Sequence, residues 1–82
     1  MVKITFYNLL RSKYKLDTME VEAGSVQCIL NQIMNIHPQI NYDDLMQAVL
    51  FINKEKVMHL NRLNEVVKDG DEIVFTNFVG GG

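Results

Sequence analysis

The sequence predicts an α+β fold: a mixed sheet packed on one main helix, with elements in β-β-α-β-β order. Three observations carry that prediction. Apolar residues alternate with polar ones at period two in two stretches before residue 23. They recur at helical spacing over residues 26–34. They then return to strand-like runs at 49–53 and 72–79.

In VKITFYN, Val2, Ile4 and Phe6 alternate with Lys3, Thr5 and Tyr7, the pattern of a half-buried strand. LDTMEVE repeats it with Met19 and Val21 inward, so residues 2–8 and 16–22 are expected to pair as a hairpin joined by LLRSKYK. The helix follows in GSVQCILNQIMNIHP, where Ser25 is a good N-cap and Val26, Ile29, Leu30, Ile33 and Met34 share one face. Pro38 stops it, because the residue before a proline is pushed out of helical geometry. NYDDLMQA is expected to add a helical turn capped by Asp43 or Asp44. VLFIN reads as a strand followed by a turn at KEK. EIVFTNFV reads as the last strand, launched from a KDGD turn in which Gly70 tolerates positive φ.

A helix between two hairpins supplies the crossover that a parallel strand pair requires. The arrangement is a β-grasp, as in ubiquitin. A ferredoxin-like split sandwich needs a second full helix, which the periodicity does not provide, and a small barrel is the remaining alternative. Eighty-two residues, 48% of them hydrophobic, suffice for one domain with a core that needs neither metal nor disulfide. One cysteine excludes an internal disulfide framework and a four-cysteine metal site, and it fits a reducing compartment, so the cytoplasm is expected. No stretch is long and apolar enough to span a bilayer, and MVKITFYN has no secretory pattern, so no membrane is expected. A formal net charge of −2 gives no electrostatic reason to expect nucleic acid as a partner, and Arg11, Lys13 and Lys15 read as a solvated turn.

Three of the five glycines stand together at Gly80, Gly81 and Gly82, directly after Phe78 and Val79. A glycine run there cannot pack, so residues 1–77 are expected to form the domain and 78–82 a flexible tail. With MVKITFYNLLRSK, the helix opening SVQCIL, the strand end FIN, KDGDEI and the terminal diglycine, the whole chain resembles the MoaD/ThiS family of ubiquitin-like sulfur carriers. Within it the chain is most similar to the branch formed by the small subunits of molybdopterin synthase. It departs from that branch at Asn77 and Phe78, where two prolines are common, at Gly80, where another residue is usual, and in the length of segment 53–69.

The resemblance implies a chemistry for the tail. A carboxylate is a poor acyl donor, so family members are adenylated at the terminal carboxylate by a ubiquitin-activating-type adenylyltransferase that uses ATP, then converted to a thiocarboxylate. The reactive group would be on Gly82, with Gly81 and Gly80 passing bare backbone through a narrow channel. Five extended residues reach roughly 17 Å. This chain has no G-x-x-x-x-G-K-[ST] loop, so no cofactor is expected on it and the ATP belongs to the partner. It reads as a sulfur-donor subunit rather than an enzyme on its own. The second expected partner is the large subunit of molybdopterin synthase or another sulfur acceptor. Sulfur delivery to thiamin or to a tRNA base, and ubiquitin-like modification of protein lysines, are the alternatives.

Docking to such partners needs a surface. If Ile4, Phe6, Leu50, Ile52, Ile73 and Phe75 face the helix, then Tyr7, Phe51, Val74, Thr76 and Phe78 share the opposite face of the sheet. Apolar residues gathered on an open face mark a partner site, and this face runs into the tail. Register error, or cover by the segment around Leu60 and Leu63, is the competing reading. Cys28 shares a helix face with Asn31, Gln32 and Asn35; a persulfide-carrying thiol is the alternative there and an exposed, incidental thiol the expectation. His37 and His59 lack metal-ligand spacing, so no metal is expected.

Overall fold

The computed structural model describes residues 1–57 and 62–76. The proposed boundary at residue 77 and the tail 78–82 lie outside the described residues, as do His59 and Leu60.

Strands β1 (Val2–Phe6) and β2 (Thr18–Val21) form the expected antiparallel pair, with Ile4 opposite Met19. The segment joining them is not a simple turn. Asn8–Tyr14 is a helix, α1, which buries Leu10 and ends on Lys15 in the left-handed region at φ 56°. Strand β3 (Gly24–Ser25) leads into α2 (Val26–Ile36), the main helix. Ser25 caps it as expected, its side chain accepting the amide hydrogen of Cys28 at 3.2 Å. The stripe Val26, Ile29, Leu30 and Ile33 is buried, and Met34 packs at its margin.

Helix α3 (Tyr42–Gln47) is the additional helical turn, but its N-cap is Asn41, not Asp43 or Asp44. The Asn41 side chain accepts the Asp43 amide at 2.9 Å. The two aspartates occupy the first turn instead, where they complement the positive end of the helix. Strand β4 (Val49–Ile52) turns into β5 (Glu55–Val57). The turn residues are Asn53 and Lys54, both at positive φ, so Glu55 and Lys56 of the expected KEK turn belong to β5. A 3-10 turn (Arg62–Asn64) precedes β6 (Val66–Val67), which pairs with β3. Strand β7 (Glu72–Thr76) follows a turn in which Gly70 adopts φ 89°, as the sequence predicted.

The main sheet has the order β2-β1-β7-β4-β5. Its centre is the parallel pair β1 and β7, with Phe6 opposite Phe75 and their rings stacked at 5.7 Å; all neighbouring pairs are antiparallel. One face of this sheet closes on α2 with Ile4, Phe6, Leu50, Ile73 and Phe75 fully buried and Ile52 packed at the edge of the core. All three helices and β6 add to the same core through Leu10, Leu45 and Val67, beside the α2 stripe.

Candidate functional site

Strand alternation and the observed register together lay out the open face of the sheet. One row across it reads Thr18, Thr5, Val74, Phe51 and Lys56, from β2 to β5. A second row pairs Thr76 with Val49. Beside it Tyr7, just past the end of β1, donates its amide hydrogen to the Phe75 carbonyl at 2.9 Å. A third row is charged, with Glu20, Lys3 and Glu72.

Val49, Phe51 and Val74 are half-buried and do not join the core cluster, and Tyr7 keeps 45% of its surface exposed. Of the residues expected to form a docking face, Tyr7, Phe51, Val74 and Thr76 therefore come together; Phe78 lies outside the described residues. Val49 belongs with them and was not singled out by the sequence reading, although the alternation of VLFIN already sets it on the side of Phe51. Leu63, the other candidate for covering the patch, packs against the core.

The elements that carry this face are pinned from behind. Arg62 donates to the carbonyls of Ala48 at 2.9 Å, Leu45 at 3.4 Å and Met46, closing the C-terminal end of α3 immediately before β4 begins. Burial holds the Arg62 guanidinium below its ordinary pKa. On the other flank, Tyr14 of α1 donates its hydroxyl to Asp44 at 2.5 Å, and Lys13 approaches the same carboxylate at 3.0 Å. The Tyr14 and Lys13 hydrogen bonds hold the Asp44 carboxyl below its ordinary pKa, and the Asp44 bond raises that of Lys13. The basic cluster is thus not simply solvated, since Lys13 pairs with Asp44 and Arg11 lies 3.6 Å from Asp17.

Cys28 is exposed on α2, the element that covers the other face of the sheet. Among the described residues, no group of three or more His, Cys, Asp or Glu side chains could hold a metal ion, and no helix is long and apolar enough to cross a membrane.

Residues 4–82 match the family model described as the ThiS family. The chain belongs to the ThiS family. Its members are ubiquitin-like sulfur carriers, and the β-grasp architecture agrees with that membership. No curated protein matches the chain. Three solved structures similar to it share 21–22% identity with it. Small archaeal modifier protein 1 of Methanosarcina acetivorans has a TM-score of 0.80 at 22% identity, over 99% of this chain and 95% of that one. A chain of the BexX/CysO complex of Amycolatopsis orientalis gives a TM-score of 0.74 at 21% identity, over 100% of both chains. A complex of subunits 1 and 2 of molybdopterin-converting factor from Helicobacter pylori gives 0.62 at 22% identity, over 99% and 97%. At these identities the likeness speaks for the fold. Two of the three structures are of protein–protein complexes.

Proposed function

We propose that this ThiS-family chain carries sulfur as a thiocarboxylate on Gly82 and donates it in molybdopterin synthesis, as the small subunit of a synthase. The observation that carries the sulfur-carrier part of the reading is the extent of the family match. It runs through residue 82 and so takes in Gly80, Gly81 and Gly82. The open sheet face supports it, because β7 contributes Val74 and Thr76 to that face and the chain continues from Thr76 toward the glycines.

In this scheme the Gly82 carboxylate attacks the α-phosphorus of ATP on a partner adenylyltransferase, expelling pyrophosphate and forming an acyl-adenylate. Hydrosulfide then attacks the acyl carbon and AMP leaves, so one carboxylate oxygen is replaced by sulfur and a proton is released. The chain's own contribution is to dock through Tyr7, Val49, Phe51, Val74, Thr76 and Phe78 and to present an unhindered terminus. Gly80 and Gly81 lack the Cβ that would block a narrow channel. Incubation with the adenylyltransferase, ATP and hydrosulfide, followed by intact-mass spectrometry, tests it: the product should carry sulfur in place of one oxygen. The likeness to an archaeal modifier protein favours a second reading, conjugation to protein lysines, which isopeptide-linked products in cells would reveal.

A further inference from the structure

The root of the terminal segment is fastened by a contact that docking does not require. Thr76 is held on one side by its register with Val49 of β4. On the other side the parallel ladder of β1 and β7 ends at the pair Phe6 and Phe75, followed by the bond from the Tyr7 amide to the Phe75 carbonyl. There Asn8 takes over: its Nδ2 donates to Oγ1 of Thr76 at 2.6 Å, across 68 residues of sequence. Asn8 stands at φ 57°, a left-handed conformation that asparagine enters at less cost than most residues. It is also the first residue of α1, whose Leu10 is fully buried. The Thr76 hydroxyl is therefore tied, through Asn8 and α1, to the core.

We propose that Asn8 is a positioning residue for the terminal segment: its bond to Thr76 fixes the root from which residues 77–82 continue into a partner's active site. The inference rests on the sulfur-carrier reading for its consequence and on the Asn8–Thr76 geometry for its mechanism. Six residues span at most about 20 Å when extended, so little slack is available for correcting a misdirected root. A root ordered before docking leaves less freedom to be lost when the terminus enters a channel. Docking through the apolar face sets the Michaelis constant for the activating enzyme, whereas entry of the terminus sets the turnover of the docked complex.

The experiment compares the wild type with Thr76→Val, which keeps the β-branched shape without the hydroxyl. It adds Asn8→Gly, which keeps access to positive φ without the amide, the double variant, and Thr76→Ser. Side-chain amide NMR reads the clamp directly. The Asn8 Nδ2 protons should exchange slowly in the wild type and Thr76→Ser and fast in Thr76→Val. Pyrophosphate release by the activating enzyme reads the consequence: kcat should fall about three- to tenfold in Thr76→Val and in Asn8→Gly, on the scale of one neutral hydrogen bond, with KM unchanged in Asn8→Gly, which lies outside the docking face. Thr76→Ser should restore it, and the double variant should lose no more than either single one. Equal Asn8 exchange in the wild type, Thr76→Ser and Thr76→Val overturns the clamp, whether or not the wild type is adenylated. Wild-type kcat in Thr76→Val, a change in Asn8→Gly confined to KM, or additive losses in the double variant overturn the positioning role. A wild type that is never adenylated refutes the sulfur-carrier reading instead.

Discussion

Replacing Arg62 with methionine should cost about 2 kcal/mol of stability. Methionine keeps much of the apolar stem while deleting every donor of the guanidinium, so the carbonyls of Ala48 and Met46 lose the guanidinium together, while that of Leu45 keeps the Ala48 amide at 3.2 Å. A hydrogen bond from a charged group contributes roughly 1.5–3 kcal/mol. Two of these contacts are close and the third, to Leu45, is long at 3.4 Å. Against them stands the desolvation of the guanidinium, which also lowers its pKa. The balance is one strong bond's worth rather than three. For a domain of this size about 2 kcal/mol lowers the unfolding midpoint by roughly 8–16 °C. Arg62→Lys should recover less than half, because a single ammonium cannot span carbonyls that a planar fork reaches. Thermal and urea unfolding measure the loss, and amide exchange should rise mainly over α3 and the start of β4. A loss below about 0.5 kcal/mol would refute the capping role, since that is the ordinary effect of a surface change.

Phe51→Asp should lower the unfolding midpoint while leaving the protein folded, because Phe51 is half-buried in β4 but lies outside the core cluster. It should also weaken binding to the activating enzyme at least tenfold, because a desolvated charge cannot fill an apolar contact; thermal unfolding and calorimetric titration check the two effects. Asp44 has a folded pKa below its ordinary value of 3.8, so its stabilisation is fully present above that value and is lost as pH falls through the folded pKa. Asp44→Asn should therefore lower the midpoint at neutral pH and flatten its dependence on pH below about 4, leaving the similar contribution of Asp71 in place. Lys54→Gly should raise stability by roughly 1 kcal/mol, because Lys54 occupies φ 71° in the hairpin turn and glycine adopts that conformation without a Cβ penalty; urea unfolding decides.

The strands were legible where one face is buried and the other open, because burial then writes period two into the residues. This held for Val2–Phe6, Thr18–Val21, Val49–Ile52 and Glu72–Thr76. It also made Tyr7, Phe51, Val74 and Thr76 readable as one face. Helix α1 was hidden because Leu10 is its only buried residue and no side chain caps its start, so tertiary contact rather than amphipathic period holds it. The hairpin turn begins one residue earlier than KEK, and ends two earlier, because Lys54 stands where a glycine would have signalled it. Strands β3 and β6 contain two residues each, too few to show any period. Neither the role of Arg62 nor the Asn8–Thr76 bond could be read locally, since both depend on partners distant in sequence.

The central claim, that the working atom sits on Gly82, is tested most directly by intact-mass spectrometry after incubation with the activating enzyme, ATP and hydrosulfide. Three proteins should be compared: the wild type, a form lacking Gly82, and Gly81→Val. The wild type should gain one sulfur in place of one oxygen, localised to Gly82 by fragmentation. The shortened protein should gain none, and Gly81→Val should dock normally but react far more slowly, because a β-branched side chain is added where only backbone fits. Both variants should unfold at the wild-type midpoint. Sulfur incorporated by the protein lacking Gly82, or found on Cys28 in the wild type, would contradict the account.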